Sequence, residues 1–351
     1  MTPQTDKKVR AVGFQMLRHA GHGGYSQILR YLDGTVQLID KSPRFSSYIP
    51  LTIKNMLKAR SGLVWYFPGR LDQEIGVICD MLKSRGRVYH FIYGENSYCY
   101  SGGFSRSRGH RMICTYHLPP SVFGSFVKRQ DHLKRLDAVV AVASNQKEFF
   151  AEKIGGDRVF IVPHGIDCDF FTPGERVPGE MDRTVLFVGH FIRDFELLRK
   201  LIINMASADR SVKFLATVWE EDRKYFEGLD NVTVKTKVSD EELREYYRRC
   251  PVLVQPMKDC TANNSMLEGM ACGCPAVASE VGGVRDYVDD SCAILVPEPD
   301  PGVFAGRILD LLNDPVRLRL MSGNAREKAL EFNWPKIAER LKEVYRLVRA
   351  M

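Results

Sequence analysis

Asn263-Asn264-Ser265-Met266-Leu267-Glu268-Gly269-Met270-Ala271-Cys272-Gly273-Cys274-Pro275 decides how the rest of this chain is read. Upstream lies an apolar run, Val252-Leu253-Val254-Gln255-Pro256, and downstream another, Ala276-Val277-Ala278-Ser279. Both predict buried strands. Between them, Asn263, Asn264 and Ser265 carry short polar side chains that cap a helix start. Met266, Leu267, Met270 and Ala271 give that helix an apolar stripe, and Gly273 followed by Pro275 stops it. The predicted unit is strand, polar turn, helix, strand. The first turn of such a helix leaves backbone N–H groups unpaired at the positive end of the dipole, which makes an anion site. Glu268 sits one turn further in, able to reach past a bound phosphate to sugar hydroxyls. A diphosphate joined to a ribose fits that arrangement.

The same alternation runs through the whole chain and predicts a doubly wound α/β architecture. In the first half, strands are expected at 9–14, 35–39, 63–67, 88–92, 112–116, 138–143 and 159–162. Helices are expected at 26–32, 49–59, 71–83, 122–136 and 145–153. A loop rich in Pro, Gly and charge, 173–180, reads as a linker. Strands then follow at 185–188, 213–216, 232–234, 252–255, 276–278 and 293–296, and two long helices, 301–312 and 337–348, end the chain. Open parallel sheets bind ligands outside the carboxyl ends of their strands.

The 351 residues suffice for two domains, and the apolar fraction of 44% and charged fraction of 26% are ordinary for a soluble protein. No apolar run approaches a membrane span of roughly 18 residues, and the start lacks a signal peptide's apolar core. Nine scattered cysteines, with Cys272 and Cys274 flanking one glycine, do not have zinc-ligand spacing. A cytoplasmic location is expected, with peripheral contact at the inner membrane face. Residues 1–173 hold 24 Lys+Arg against 14 Asp+Glu (+10); residues 174–351 hold the remaining 26 against 29 (−3). A basic first half fits an anionic acceptor or membrane surface, and equally a solvated basic face. Nucleic acid is not expected as a partner.

These motifs resemble, in order, those of the family 4 retaining glycosyltransferases, which have the GT-B fold. Val159-Phe160-Ile161-Val162-Pro163-His164-Gly165-Ile166-Asp167, with Phe171 and Pro173, is similar to the strand and turn that close that family's first domain. Thr184-Val185-Leu186-Phe187-Val188-Gly189 is similar to the first strand of its second domain. Val238-Ser239-Asp240-Glu241-Glu242-Leu243, the 263–275 segment and Val281-Gly282-Gly283-Val284-Arg285-Asp286-Tyr287 follow. The resemblance implies two Rossmann-like domains facing across a cleft. These would be residues 1–173 for the acceptor and 174–334 for a nucleotide-sugar donor, with a helix at 335–351 packing back on the first. It implies a retaining, metal-independent transferase in polysaccharide biosynthesis. That enzyme would move a sugar from a UDP- or GDP-type donor to a glycan, lipid-linked or small-molecule acceptor without a separate cofactor. A nucleotide-sugar epimerase and an inactive scaffold are the alternatives. Three departures stand out. The first of the family's two glutamates falls on Cys260, its arginine after Gly189 is His190, and its following lysine is replaced around Phe195 and Glu196. Arg193 is the nearest cation and resembles a family variant.

The candidate catalytic residues are therefore His117, Arg193 and Glu268. The donor-binding set is Gly23, Gly24, Gly189, His190, Arg193, Asn263, Asn264, Ser265, Met266 and Glu268. Gly23 and Gly24 let backbone approach a phosphate without a Cβ, although an ordinary strand–helix connection would look the same. His117, at the end of a strand, can hydrogen-bond a sugar hydroxyl or the leaving oxygen; a structural histidine is the other reading. Asp167-Cys168-Asp169 imitates a metal-binding DxD triplet but reads as turn chemistry, and no metal ligands are assigned.

Overall fold

A computed structural model of the chain describes residues 8–13, 21–32, 35–39, 48–105, 108–175 and 183–351. Phe14 and the loop core 176–180 lie outside them. Two parallel six-stranded sheets dominate. The first contains β1 (Val9–Val12), β2 (Val36–Ile39), β3 (Val88–Phe91), β4 (Arg111–Tyr116), β5 (Ala138–Ala141) and β6 (Val159–Ile161), in the order β2-β1-β3-β4-β5-β6. The second contains β7 (Thr184–Val188), β8 (Lys213–Thr217), β9 (Val232–Lys235), β10 (Val252–Gln255), β11 (Ala276–Ser279) and β12 (Ala293–Val296), in the order β12-β11-β10-β7-β8-β9. The central strands of both are buried along their length, as in sheets covered on both faces. In the second sheet the chain runs outward from β7 through β8 and β9, then returns to β10 on the other side of β7. That reversal is a topological switch point, where doubly wound sheets place their ligands.

The described residues gather into two compact units. One comprises β1, Tyr25–His164 and Pro335–Met351; the other comprises residues 21–24 and Gly165–Trp334. The turn Gly165–Pro173, assigned from sequence to the first domain, thus lies in the second unit. The reason is specific. Arg326 donates to the carbonyls of Cys168 and Phe171 at 3.1 and 2.9 Å, and Gly165 lies against Trp334, whose ring a Cβ would meet at 2.3 Å. Gly21 to Gly24 also join the second unit. His22 donates its backbone N–H to Asp240, pairs with Asp167 at 2.7 Å and stacks on Phe170.

In the first unit, buried His90 bonds Tyr345 of the helix Trp334–Ala350 and Thr115 of β4, both at 2.7 Å. Burial lowers its pKa to about 3, so the ring stays neutral and bridges two hydroxyls. Glu74, on the helix Pro68–Lys83, is fully buried, and its Oε1 accepts the backbone N–H groups of Cys99, Tyr100 and Ser101.

Three local expectations change. Residues 63–67 form no strand; Gly62 turns the chain at φ 73° and only Leu63 bridges, antiparallel, to Val127. That bridge also splits the helix expected at 122–136 into Pro120–Phe126 and the 3₁₀ turn Asp131–Arg135. A third terminal helix, Pro315–Leu330, stands between the two anticipated. Its buried residues are only Met321, Ala325 and Ala329, which is why its apolar stripe is faint.

Candidate functional site

The segment 263–275 forms its helix, Asn264–Ala271, by the local rules that the residues dictate. Asn263 is extended and its side chain accepts the N–H of Met266. At the other end Gly273 adopts φ 72°, with Gly273 N–H donating to Met270 and Cys274 N–H to Gly269. This double bond pattern closes the helix with a residue that only glycine supplies without strain. Ser265 through Ala271 are all buried.

The helix start meets the switch point at the end of β7. The Val188 carbonyl accepts from Gln255 Nε2 at 3.0 Å, Ser265 Oγ at 3.2 Å and Arg193 Nε at 3.4 Å. Arg193 Nη2 donates to Asn263 Oδ1 at 3.0 Å and to Ser265 Oγ at 3.1 Å. Gly189, at φ 109°, makes room for this guanidinium, since a Cβ there would sit 2.8 Å from Arg193 Nη2. The loop that carries Arg193 is held in place at a cost. Ile192 takes φ 57°, a region that β-branched residues avoid at roughly 1–3 kcal/mol. Lys258 N–H donates to the Ile192 carbonyl at 3.1 Å, and Asp194 N–H to the Pro256 carbonyl at 3.0 Å, which ties the loop to the end of β10. Burial lowers the Arg193 pKa only to about 10, so it keeps its charge at neutral pH. A cation beside a helix N-terminus is electrostatically unfavourable on its own, and an anion there would relieve both. His190, next along from Gly189, stacks on Trp219 with ring centroids 3.2 Å apart.

Glu268 is 6% exposed. Its Oε2 accepts from the Tyr247 hydroxyl at 3.0 Å. Burial raises its pKa to about 8, opposed by the Tyr247 hydrogen bond and reinforced by Asp240. Cys260, which takes the place of the family's first glutamate, is buried and bonds the Val281 carbonyl at 3.3 Å. Burial pushes its thiol up to about 12, so it supplies no anion. Gly282 packs against it at φ 55°, where a Cβ would lie 2.1 Å from the Cys260 carbonyl oxygen.

Gly189, Arg193, Asn263, Ser265 and Met266 are therefore brought together, with Glu268 one turn along the same helix. His117 belongs to the first unit. Its Nδ1 lies 3.0 Å from Oε1 of buried Glu95, and its ring sits edge-on to Tyr25 at 4.8 Å. Glu95 and Tyr247 were not singled out from sequence. Each is the long-range partner of a residue that was, and neither carries a local signature. Gly23 and Gly24 follow His22 in the second unit, with Gly24 at φ 83°. Asp167 Oδ1 accepts the N–H groups of Asp169 and Phe170 at 3.2 and 3.0 Å, a turn that its side chain builds. Among the described residues no three His, Cys, Asp or Glu side chains converge as a metal site.

Residues 182–314 match the family model described as Glycosyl transferases group 1. The chain is 29% identical over 237 residues to the D-inositol 3-phosphate glycosyltransferase of Geodermatophilus obscurus, covering 60% of this chain and 52% of that protein. It is 27% identical to the enzyme of that name from Kineococcus radiotolerans, covering 65% and 61%. The chain thus spans little more than half the length of these relatives. Among solved structures, sucrose-phosphate synthase from Thermosynechococcus elongatus superposes with a TM-score of 0.68 at 20% identity, over 97% of this chain and 99% of that one. HepE from Anabaena in complex with UDP-glucose gives 0.65 at 14% identity, over 98% and 99%. The fold is GT-B. Within it, the stretch that matches the group 1 glycosyl transferase model, residues 182–314, lies in the second unit.

Proposed function

We propose that the chain transfers a sugar, with retention at the anomeric carbon and without a metal, from a nucleoside-diphosphate sugar to a glycan, lipid-linked or small-molecule acceptor. One observation carries this reading. Arg193 is fixed within 3.0–3.1 Å of Asn263 and Ser265 at the positive end of a helix, at the switch point of a doubly wound sheet. Two sources of positive potential converge there, and a diphosphate is the ligand that answers both.

Transfer breaks the bond between the anomeric carbon and the diphosphate oxygen, and negative charge grows on the leaving phosphate. Arg193 and the N–H groups of the first helical turn stabilise that charge from fixed positions. Glu268 Oε1 takes the ribose hydroxyls while Tyr247 orients the carboxyl group through Oε2. His117, oriented by Glu95, has an imidazole suited to hydrogen-bonding a sugar hydroxyl or the leaving oxygen. HepE has been solved with UDP and with UDP-glucose, which favours a UDP-type donor for this chain as well. Buried, neutral Cys260 favours a second reading, a GT-B scaffold without turnover, because a carboxylate is missing there.

Incubation with UDP- and GDP-sugars, with and without excess EDTA, separates the readings. Transfer is expected to persist in chelator and to preserve the anomeric configuration by NMR. An epimerised nucleotide sugar would indicate an epimerase, and binding without turnover a scaffold. A loss of transfer in EDTA that magnesium or manganese restores would overturn the metal-independent mechanism.

A further inference from the structure

Trp219 lies just past the end of β8 and stays 37% exposed, although Val218 before it is buried. A ring of that size ordinarily hides most of its surface, and this one stands at the carboxyl end of a strand in a doubly wound sheet, where ligands bind. One side of it carries the His190 ring, with an interplanar angle of 22°. The two loops that supply the pair are tied together. Gly189 N–H donates to the Thr217 carbonyl at 3.0 Å, which joins the ends of β7 and β8, and Asp222 N–H donates to the Trp219 carbonyl at 3.0 Å. The Asp222 carboxyl stands 4.0 Å from His190 Nδ1, at the edge of the stack. Arg193 belongs to the same loop, and its backbone N–H donates to the His190 carbonyl at 3.4 Å. The loop after β7 thus sends its arginine to the helix start and its histidine to the tryptophan.

We propose that Trp219, backed by His190, is the platform on which the base of a nucleoside diphosphate stacks. This rests on the diphosphate reading of the Arg193 site and adds a residue that decides whether the ligand must be a nucleotide. A fixed cation and an exposed aromatic face sit three residues apart along one loop, and a nucleoside diphosphate carries an anion and a flat ring in one molecule. A simple phosphate or a sugar phosphate offers only the first. Stacking uses the π-face that every base has, so the platform takes uracil and guanine alike and leaves the choice between them to groups at the base edge.

Titration of the full chain with UDP, GDP and inorganic pyrophosphate tests this. Trp219→Leu is expected to bind UDP and GDP about 5–150-fold more weakly. Pyrophosphate, which has no base, is expected to bind wild type and Trp219→Leu equally. Trp219→Phe keeps a ring and is expected to retain most of the nucleotide affinity, which guards against a destabilised leucine variant; Tm is the folding control. UDP is expected to quench wild-type tryptophan fluorescence, and the quench to vanish in Trp219→Leu, which keeps Trp65 and Trp334. Pyrophosphate binding together with undiminished nucleotide affinity in Trp219→Leu would overturn the platform and leave the diphosphate reading standing. Equal weakening of pyrophosphate and nucleotides would make Trp219 a prop for the Arg193 loop and overturn it too. So would weaker binding of UDP-glucose with UDP unchanged, which would put the sugar on the ring. No binding of any of these by wild type would remove both readings.

Discussion

Arg193→Gln is expected to lower sugar transfer about 10²–10³-fold, the loss typical when one fixed donor to a developing anion is removed. The guanidinium is the one side-chain cation that the described structure directs at the helix start, through Asn263 and Ser265. Asn263 keeps its capping bond to Met266 without it, so the helix should persist. Arg193 also donates to the Val188 and Phe191 carbonyls, so some stability will be lost; glutamine is chosen to retain a donor there. Steady-state kinetics, with circular dichroism as the folding control, measures the effect. A folded variant with wild-type kcat/KM would remove Arg193 from the mechanism.

Above about pH 8, where Glu268 is ionised, Glu268→Ala is expected to weaken donor binding by about 1.5–3 kcal/mol, roughly 10–150-fold in Kd. Calorimetric titration with the preferred sugar nucleotide reads this directly, and unchanged affinity would refute the ribose assignment. The pH dependence sharpens it. In the free protein Glu268 holds its proton up to about pH 8. A neutral carboxyl accepts weaker hydrogen bonds than a carboxylate, so donor affinity should rise as pH climbs through 8. Glu268→Gln should lack that rise. Stability moves the other way. An unfolded glutamate titrates near 4.5, so between there and 8 the folded state binds more protons. The contribution of Glu268 to stability therefore falls as pH rises across that window, and Glu268→Gln should flatten the fall.

The parts that were legible in sequence are those with local causes. The Asn263 cap, the Gly273 stop and the alternation of apolar runs depend on neighbouring residues, and β10 and β12 appear where their side chains predict. Pro315–Leu330 was missed because its buried face is mostly alanine, yet Asp314 capping Arg317 with Pro315 at the first helical position is a start signal that was there to be read. The site was legible as a list and not as an arrangement. Tyr247 meets Glu268 from 21 residues away and Glu95 meets His117 from 22, separations that no spacing rule links. The strain at Ile192 was equally hidden, since nothing about an isoleucine announces a positive φ.

The central claim is that backbone N–H groups of the turn at Asn264 hold a diphosphate. Asn264→Pro tests it most directly. Proline is favoured at the first helical position, and Asn263 already has the extended backbone, φ −114° and ψ 102°, that must precede it. The substitution removes one donor and leaves the helix. Calorimetric titration of UDP and GDP in chelator is expected to show binding to wild type and an affinity about tenfold or more lower for Asn264→Pro at unchanged Tm. Equal affinity of the two proteins, or no nucleotide binding by wild type, would contradict the account.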